Sequence, residues 1–412
     1  MAAPKSRRPV IAGLGMTEMG AVYGRNAASF AREAIRLAVA DAGLTLGDVD
    51  GLLTSNGTSG GVGLGLQRDL FLRDLHLLSE MQGFGSTAGS MVQFASMAVQ
   101  SGMAETVVCV FADSPLRPGR SAGDVYGARR GKAEPKASGP VAQEKSPEPP
   151  KPTLHGWSGL TISAGAIGAN TLYALAARRH MNRFGTTSED FGAIAVAQRA
   201  WATMNPAASK REPITLEDHQ NSRMIADPFR LLDCCLVSNG GVAVLITTEE
   251  RAADLRQPPV HVNGWAQCHP GRLFERDEDF GLVTGAARSG PEALSMAGVK
   301  LGDVDVAQIY DCYTYTVLVS LEDYGFCAKG DGGAFVSSGG QIGPGGRLKL
   351  NTGGGQLSSF YMWGMTPLTE AVIQVRGQAG ERQADRHDVA LVSGNGGILD
   401  HHATLVLGSA PS

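Results

Sequence analysis

The chain has 412 residues, 43% of them hydrophobic and 18% charged, the balance of a soluble globular protein. That length exceeds what one hydrophobic core usually serves, so two domains or two fused halves are expected. A net charge of −4 leaves no basic footprint for nucleic acid, and no apolar stretch reaches the roughly 20 residues of a membrane span.

At the N-terminus, Lys5-Ser6-Arg7-Arg8 precedes only a short apolar run, which does not read as a secretory leader. Val10–Leu14 reads as a first strand, turned by Gly13 and Gly15. Ala27–Ala42 follows as an amphipathic helix, with Phe30, Ala34, Leu37 and Ala38 on one face and Gly43 as its stop. A nine-residue segment then recurs: Ala42-Gly-Leu-Thr-Leu-Gly-Asp-Val-Asp50 matches Ala297-Gly-Val-Lys-Leu-Gly-Asp-Val-Asp305, each after a helix and before a strand. The copies lie more than half the chain apart, so the sequence predicts an internal duplication of whole domains. Met91–Gln100, Gly102 and the strand Thr106–Phe111 in the first half correspond to Pro367–Arg376, Gly377 and the strand Asp388–Val392 in the second. Each half is thus an alternating β/α unit with a mostly buried sheet. We place the halves at residues 1–255 and 256–412.

Residues 118–152 are rich in Pro, Gly, Lys, Glu and Ser and predict a mobile loop or an arm over a partner; Arg129-Arg130 within it reads as a solvated charge pair or a phosphate contact. Residues 155–230 form a mainly helical loop region, with helices over Thr161–Arg183 and Thr187–Met204. Leu231–Thr247 is a long apolar run that Gly240-Gly241 divides into a loop and a strand; Val260–Trp265 opens the second half. The six cysteines have no metal spacing, and Cys234-Cys235 inside that run reads as reduced, buried thiols of a cytoplasmic protein.

Ala307–Ile309 reads as the end of a buried strand. Tyr310-Asp311-Cys312-Tyr313 follows at once, then the helical run Val317–Tyr324. This places titratable groups at a sheet edge next to a helix N-terminus. Tyr310 reads equally as a half-buried aromatic with a satisfied hydroxyl. Asp311 orients a phenol or caps the following helix. Glu322 and Asp323 read as a solvated helix face, and Cys312 and Cys327 as buried small hydrophobes.

Three segments resemble thiolases of the sterol-carrier-protein type. Leu232-Asp-Cys-Cys-Leu-Val-Ser-Asn-Gly-Gly-Val-Ala-Val is similar to their central strand segment. Tyr310-Asp-Cys-Tyr with Leu321-Glu-Asp-Tyr-Gly-Phe-Cys-Ala-Lys-Gly resembles their second-half catalytic strand and helix. Asn351-Thr-Gly-Gly-Gly-Gln-Leu-Ser with Tyr361-Met-Trp-Gly resembles their histidine loop. The resemblance covers nearly the whole chain except 118–152. It implies duplicated halves in a five-layered αβαβα sandwich, paired as a homodimer through the first-half sheet.

The departures carry the functional signal. The nucleophilic Cys that the resemblance would place before the Ala-rich helix falls on Gly85, or with one gap on Ser86, in Gln82-Gly-Phe-Gly-Ser-Thr-Ala-Gly89. The catalytic His falls on Tyr361, the Asn or His before Asp-Cys-aromatic on Tyr310, and the second Cys on or beside Ser393. Tyrosines in those two places are similar to the steroid side-chain-cleaving aldolases of the same superfamily. These break the Cα–Cβ bond of a β-hydroxyacyl-CoA and pair with a small OB-fold protein carrying a zinc ribbon, which here implies a heterotetramer. A phenol, with a reference pKa of about 10, suits acid and base work at an alkoxide or enolate.

The candidate catalytic residues are therefore Tyr310, Tyr361, Asp311, His402 beside the Gly394–Gly397 loop, and Ser86 as a substitute nucleophile that needs a base. For Tyr361 the plain alternative is an aromatic lid, and for His402 a structural hydrogen-bonder. Gly85, Gly354, Gly355, Gly396 and Gly397 supply backbone donors to an oxyanion or merely permit close packing. No metal and no cofactor is implied beyond the acyl-CoA thioester, which is substrate. Three functions stand open: a carbon–carbon lyase, an acyltransferase lacking the usual Cys, and a non-catalytic acyl-CoA-binding scaffold.

Overall fold

A computed structural model of the chain describes residues 7–120, 163–166, 168–272, 275–338 and 341–411. The first half builds strands β1 (Pro9–Met16), β2 (Gly51–Asn56), β3 (Leu77–Glu80), β4 (Val107–Asp113) and β5 (Gly240–Thr248). The second builds β6 (Val260–Cys268), β7 (Val306–Ile309), β8 (Lys349–Leu350), β9 (Val389–Gly396) and β10 (His401–Gly408). Both sets take one spatial order, β3-β2-β4-β5-β1 and β8-β7-β9-β10-β6. In each, the first three strands pair in parallel and the last two pairings are antiparallel.

The repeated nonapeptide explains itself at this level. Each copy forms a short 3₁₀ turn, Leu46–Asp48 and Leu301–Asp303, in which the third residue's carboxylate accepts from the backbone N–H of Thr45 at 2.9 Å or Lys300 at 2.8 Å. The final Asp ties two strands together. Asp50 accepts from the N–H groups of Glu105 and Thr106 ahead of β4, and Asp305 from those of Asp388 and Val389 at the start of β9. A charged acceptor there satisfies donors that the ladder has not yet reached.

The principal helices are α1 (Ala27–Ala42), α2 (Thr87–Ser101), α3 (Gly168–Phe184), α4 (Ser188–Thr203), α5 (Ala286–Met296), α6 (Thr314–Tyr324) and α7 (Met365–Val375). Asn26 caps α1 through the Ser29 N–H, and Thr187 caps α4 through that of Asp190. Helix α1 lies on the outer face of the first sheet, so close that a Cβ on Gly13 would stand 2.2 Å from the Ala38 carbonyl oxygen. On the second sheet Gly264 and the Ala293 carbonyl of α5 repeat that approach at 2.1 Å. Helices α2 and α7 lie between the sheets and pack on both, giving the five layers of an αβαβα sandwich. One feature was not legible in the strand pattern: β1 and β6 pair antiparallel at Val10↔His261 and Ile11↔Val260, joining the two sheets into one ten-stranded order.

The strands and helices otherwise lie within a few residues of their expected positions. Helix α3 is described from Gly168 onward, and residues 121–162 and 167 fall outside the described residues, Arg129-Arg130 among them. Glu322 and Asp323 are a correction. Their side chains are 0% and 1% exposed, not solvated. Glu322 meets Nε2 of the buried His180 on α3 at 3.0 Å, and Lys329 reaches Glu322 at 3.2 Å and Asp323 at 2.6 Å. The i, i+1 pair is polar because two elements converge on it, which helical spacing alone does not reveal.

Candidate active site

Strand β7 extends its ladder by one residue, with the Tyr310 N–H donating to the Ser393 carbonyl at 3.1 Å. Asn351 closes the strand end by bonding both backbone groups of Ile309. The Tyr310 ring then turns into the space between the halves. Tyr361 comes from the segment after a π-helical turn over Gly355–Ser359 and is anchored by its N–H on Ser238 Oγ at 3.0 Å. The two phenol oxygens are 3.2 Å apart. Tyr310 is 4% exposed and Tyr361 is half-buried. Burial pushes the Tyr310 phenol well above its ordinary range, with the neighbouring Cys312 acting in the same direction; its bond to Tyr361 opposes the shift.

Gly85 shows why the pair fits. A Cβ there would stand 2.3 Å from Cε2 and Cζ of Tyr310 and 2.2 Å from the Asn395 carbonyl oxygen. The phenol ring thus fills the volume that a side chain at position 85 would need, and a cysteine there is incompatible with this ring position. Gly394 and Gly396 of β9 are small for a matching reason. Side chains there would strike the Gly85 and Gly83 carbonyl oxygens at 2.8 and 1.8 Å.

The remaining sequence candidates separate. Ser86 is fully buried and donates its hydroxyl to the Gly83 carbonyl at 2.7 Å, closing its own turn; among the described residues no base contacts it. It is therefore corrected from substitute nucleophile to turn residue. His402 is also corrected. Successive residues of β10 face opposite ways, and Ala403 is the one that meets α2 between the sheets. The His402 ring points to the other face, where Nε2 meets Tyr324 OH at 3.0 Å and Ser393 Oγ at 3.1 Å. Burial lowers its pKa to about 3, so it stays neutral.

Asp311 is buried, and its carboxylate accepts from the N–H groups of Gln356, at 2.8 Å, and Leu357, at 3.1 Å. It neither orients a phenol nor caps α6; it caps the turn that leads to Tyr361. Burial raises its pKa to about 7, against the pull of those N–H bonds. Gly354 donates its N–H to the Asn351 carbonyl at 2.8 Å, so that donor is committed. Gly354 and Gly355 both have positive φ, and a Cβ on Gly355 would stand 2.1 Å from Asp311 Oδ2. Close packing explains both. The Gly85 backbone, not 354–355, lies against the Tyr310 ring, with the Asn395 carbonyl beside it.

Two thiols come near. Cys235 donates its N–H to the Cys312 carbonyl at 3.0 Å, next to the Tyr310 turn. Burial pushes the Cys312 thiol up to about 12 and holds Cys235 well above its ordinary value, so both are protonated near neutrality. Neither is a ready thiolate nucleophile. Among the described residues no group of three His, Cys, Asp or Glu side chains could hold a metal ion. Sequence reasoning missed Tyr173 and Asn395. The Tyr173 hydroxyl bonds the Gly397 carbonyl and Asn395, yet an aromatic in an apolar helical stripe reads as core.

A family described as thiolase C-terminal domain-like matches residues 266–409. A steroid side-chain-cleaving aldolase of Thermomonospora curvata is 37% identical over 94% of this chain and 95% of its own length. The 17-hydroxy-3-oxo-4-pregnene-20-carboxyl-CoA lyase of Mycobacterium tuberculosis is 37% identical over 95% and 97%. Among solved structures, the Ltp2-ChsH2(DUF35) aldolase superposes with a TM-score of 0.81 at 34% identity, covering 98% of each chain. With 37% identity to two such relatives over nearly the full length of each chain, the chain belongs to the thiolase superfamily, in the branch of the steroid side-chain-cleaving aldolases.

Proposed function

We propose that this carbon–carbon lyase cleaves the Cα–Cβ bond of a β-hydroxyacyl-CoA by a retro-aldol reaction that the Tyr310–Tyr361 pair carries as acid and base. The observation behind it is the 3.2 Å contact of the two hydroxyls over a glycine that leaves no room for a sulfur nucleophile. Tyr361, the more exposed of the two, enters the reaction as its phenolate and takes the proton of the substrate's β-hydroxyl. As the carbonyl forms there, the Cα–Cβ electrons move into the thioester as an enolate. Peptide N–H groups of the Gly85 and Gly396–Gly397 segments hold the enolate oxygen. Tyr310, kept neutral by burial, is the acid that completes the acyl-CoA by delivering a proton to Cα. The proton that Tyr361 gained returns to Tyr310 across their hydrogen bond, so the pair is reset without a co-reactant.

The substrate we favour carries a ring system on its β-carbon, as the names of the 37% identical relatives suggest. A three-carbon acyl-CoA and a ring ketone would be its products. We further propose a homodimer through the first sheet, where β3 pairs only with β2 among the described residues, and a small OB-fold, zinc-ribbon partner completing a heterotetramer. The unpaired thiols suit the cytoplasm. Among the described residues no helix is long and apolar enough to cross a membrane.

The test is product analysis of the purified chain, with the partner if one co-purifies. Release of a ketone or aldehyde and a shorter acyl-CoA, without free CoA, is expected. A requirement for free CoA with a β-ketoacyl substrate would replace the aldol reading with acyl transfer.

A further inference from the structure

Tyr173 stands on α3, in the first half, yet its hydroxyl reaches the second half's glycine turn. It is 3% exposed, donates to the Gly397 carbonyl at 2.9 Å and accepts from Asn395 Nδ2 at 3.2 Å. Asn395 is 2% exposed and its Oδ1 has no partner, so this phenol is the amide's single hydrogen-bond partner among the described residues. The same turn is pressed from the other side. Gly396 lies against the Gly83 carbonyl with no room for a Cβ, and Gly397 has φ +65°. The turn therefore sits between two supports, the 83–86 backbone and one phenol.

We infer that Tyr173 is a positioning residue for the enolate step, fixing the Gly396–Gly397 turn whose peptide N–H groups hold the thioester oxygen. The inference rests on the aldol reading above. Its physical basis is that donors stabilise developing charge only when they are already in place. Loss of the hydroxyl leaves Asn395 with neither end bonded and the Gly397 carbonyl without this donor. The ring itself remains packed on Tyr313, with centroids 4.8 Å apart, so removing the oxygen alone should not unfold the helix. An error near 1 Å in such a turn costs about 100-fold in rate.

The experiment compares Tyr173→Phe with the wild-type full chain in two reactions. One is cleavage of a β-hydroxyacyl-CoA. The other is deuterium uptake at the α-carbon of propionyl-CoA in D₂O with no ketone present, which reports enolate formation alone. Both rates should fall together, by about 10- to 100-fold, with KM, the shape of the pH profile and the melting midpoint close to wild type. Asn395→Ala should repeat the paired loss and guards against a misfolded Phe variant. Undiminished deuterium uptake in both variants, or a loss confined to cleavage, would overturn the inference. A wild type that exchanges deuterium but does not cleave sinks the aldol reading and leaves Tyr173 to be judged by exchange. A wild type that does neither overturns both.

Discussion

At position 85 a missing Cβ and a phenol ring share one volume, and this coupling can be measured. Gly85→Ala should destabilise the fold by about 1–3 kcal/mol through overpacking and abolish cleavage by displacing Tyr310. Adding Tyr310→Ala should make the combined loss smaller than the sum of the two single losses, since the ring's share of the clash is gone while that of the Asn395 carbonyl stays, and should recover none of the activity. Denaturant titration of the two single variants and the double variant reads the coupling; strictly additive losses would show that the ring and residue 85 do not compete. Tyr361→Phe keeps the packing and should reduce cleavage at least 100-fold with an unchanged melting midpoint. Asp311 makes a separate prediction. Its folded-state pKa of about 7 lies above that of the unfolded chain, so the native state holds an extra proton between about pH 4 and 7. Stability should fall as pH rises through that window and level off above it. Asp311→Asn should flatten the slope; urea midpoints from pH 4 to 8 provide the check.

At the scale of elements, the clamp between α3 and α6 is one of the contacts that bind the helical region to the second half. His180 and Glu322 are buried together, and removing one partner leaves the other desolvated. His180→Leu should cost about 3 kcal/mol, read by urea unfolding, and should raise hydrogen exchange along α3 more than along α2. This contact also marks where sequence reading stops. Helix faces, caps and the duplicated turns were legible because they depend on residues close in the chain: Asn26 with Ser29, Thr187 with Asp190, Gly43 after α1. The Tyr310–Tyr361 contact was legible only through the family resemblance, which set both residues in one place. Tyr173, Asn395 and Glu322 take their meaning from partners 142 to 224 residues away in sequence, so no local pattern distinguishes them from core or surface. His402 misled for the same reason in reverse. Adjacency to a glycine loop suggested chemistry, while strand alternation turned the ring to the opposite face.

For the whole molecule, the two halves present complementary parts of one site: the 83–86 turn from the first, Tyr310, Tyr361 and the 396–397 turn from the second. Neither half alone supplies all of these parts, and a single ten-stranded order and two shared middle helices hold the halves together. If the edge of β3 that has no partner strand among the described residues pairs with its own copy, sedimentation should give a concentration-independent mass near twice 43.0 kDa in the micromolar range. A 43.0 kDa species throughout would exclude that dimer. The crowding at residue 85 also constrains ancestry. A lineage moving from thiol to phenol chemistry cannot hold both groups at once, so the older side chain must vanish before the aromatic one arrives.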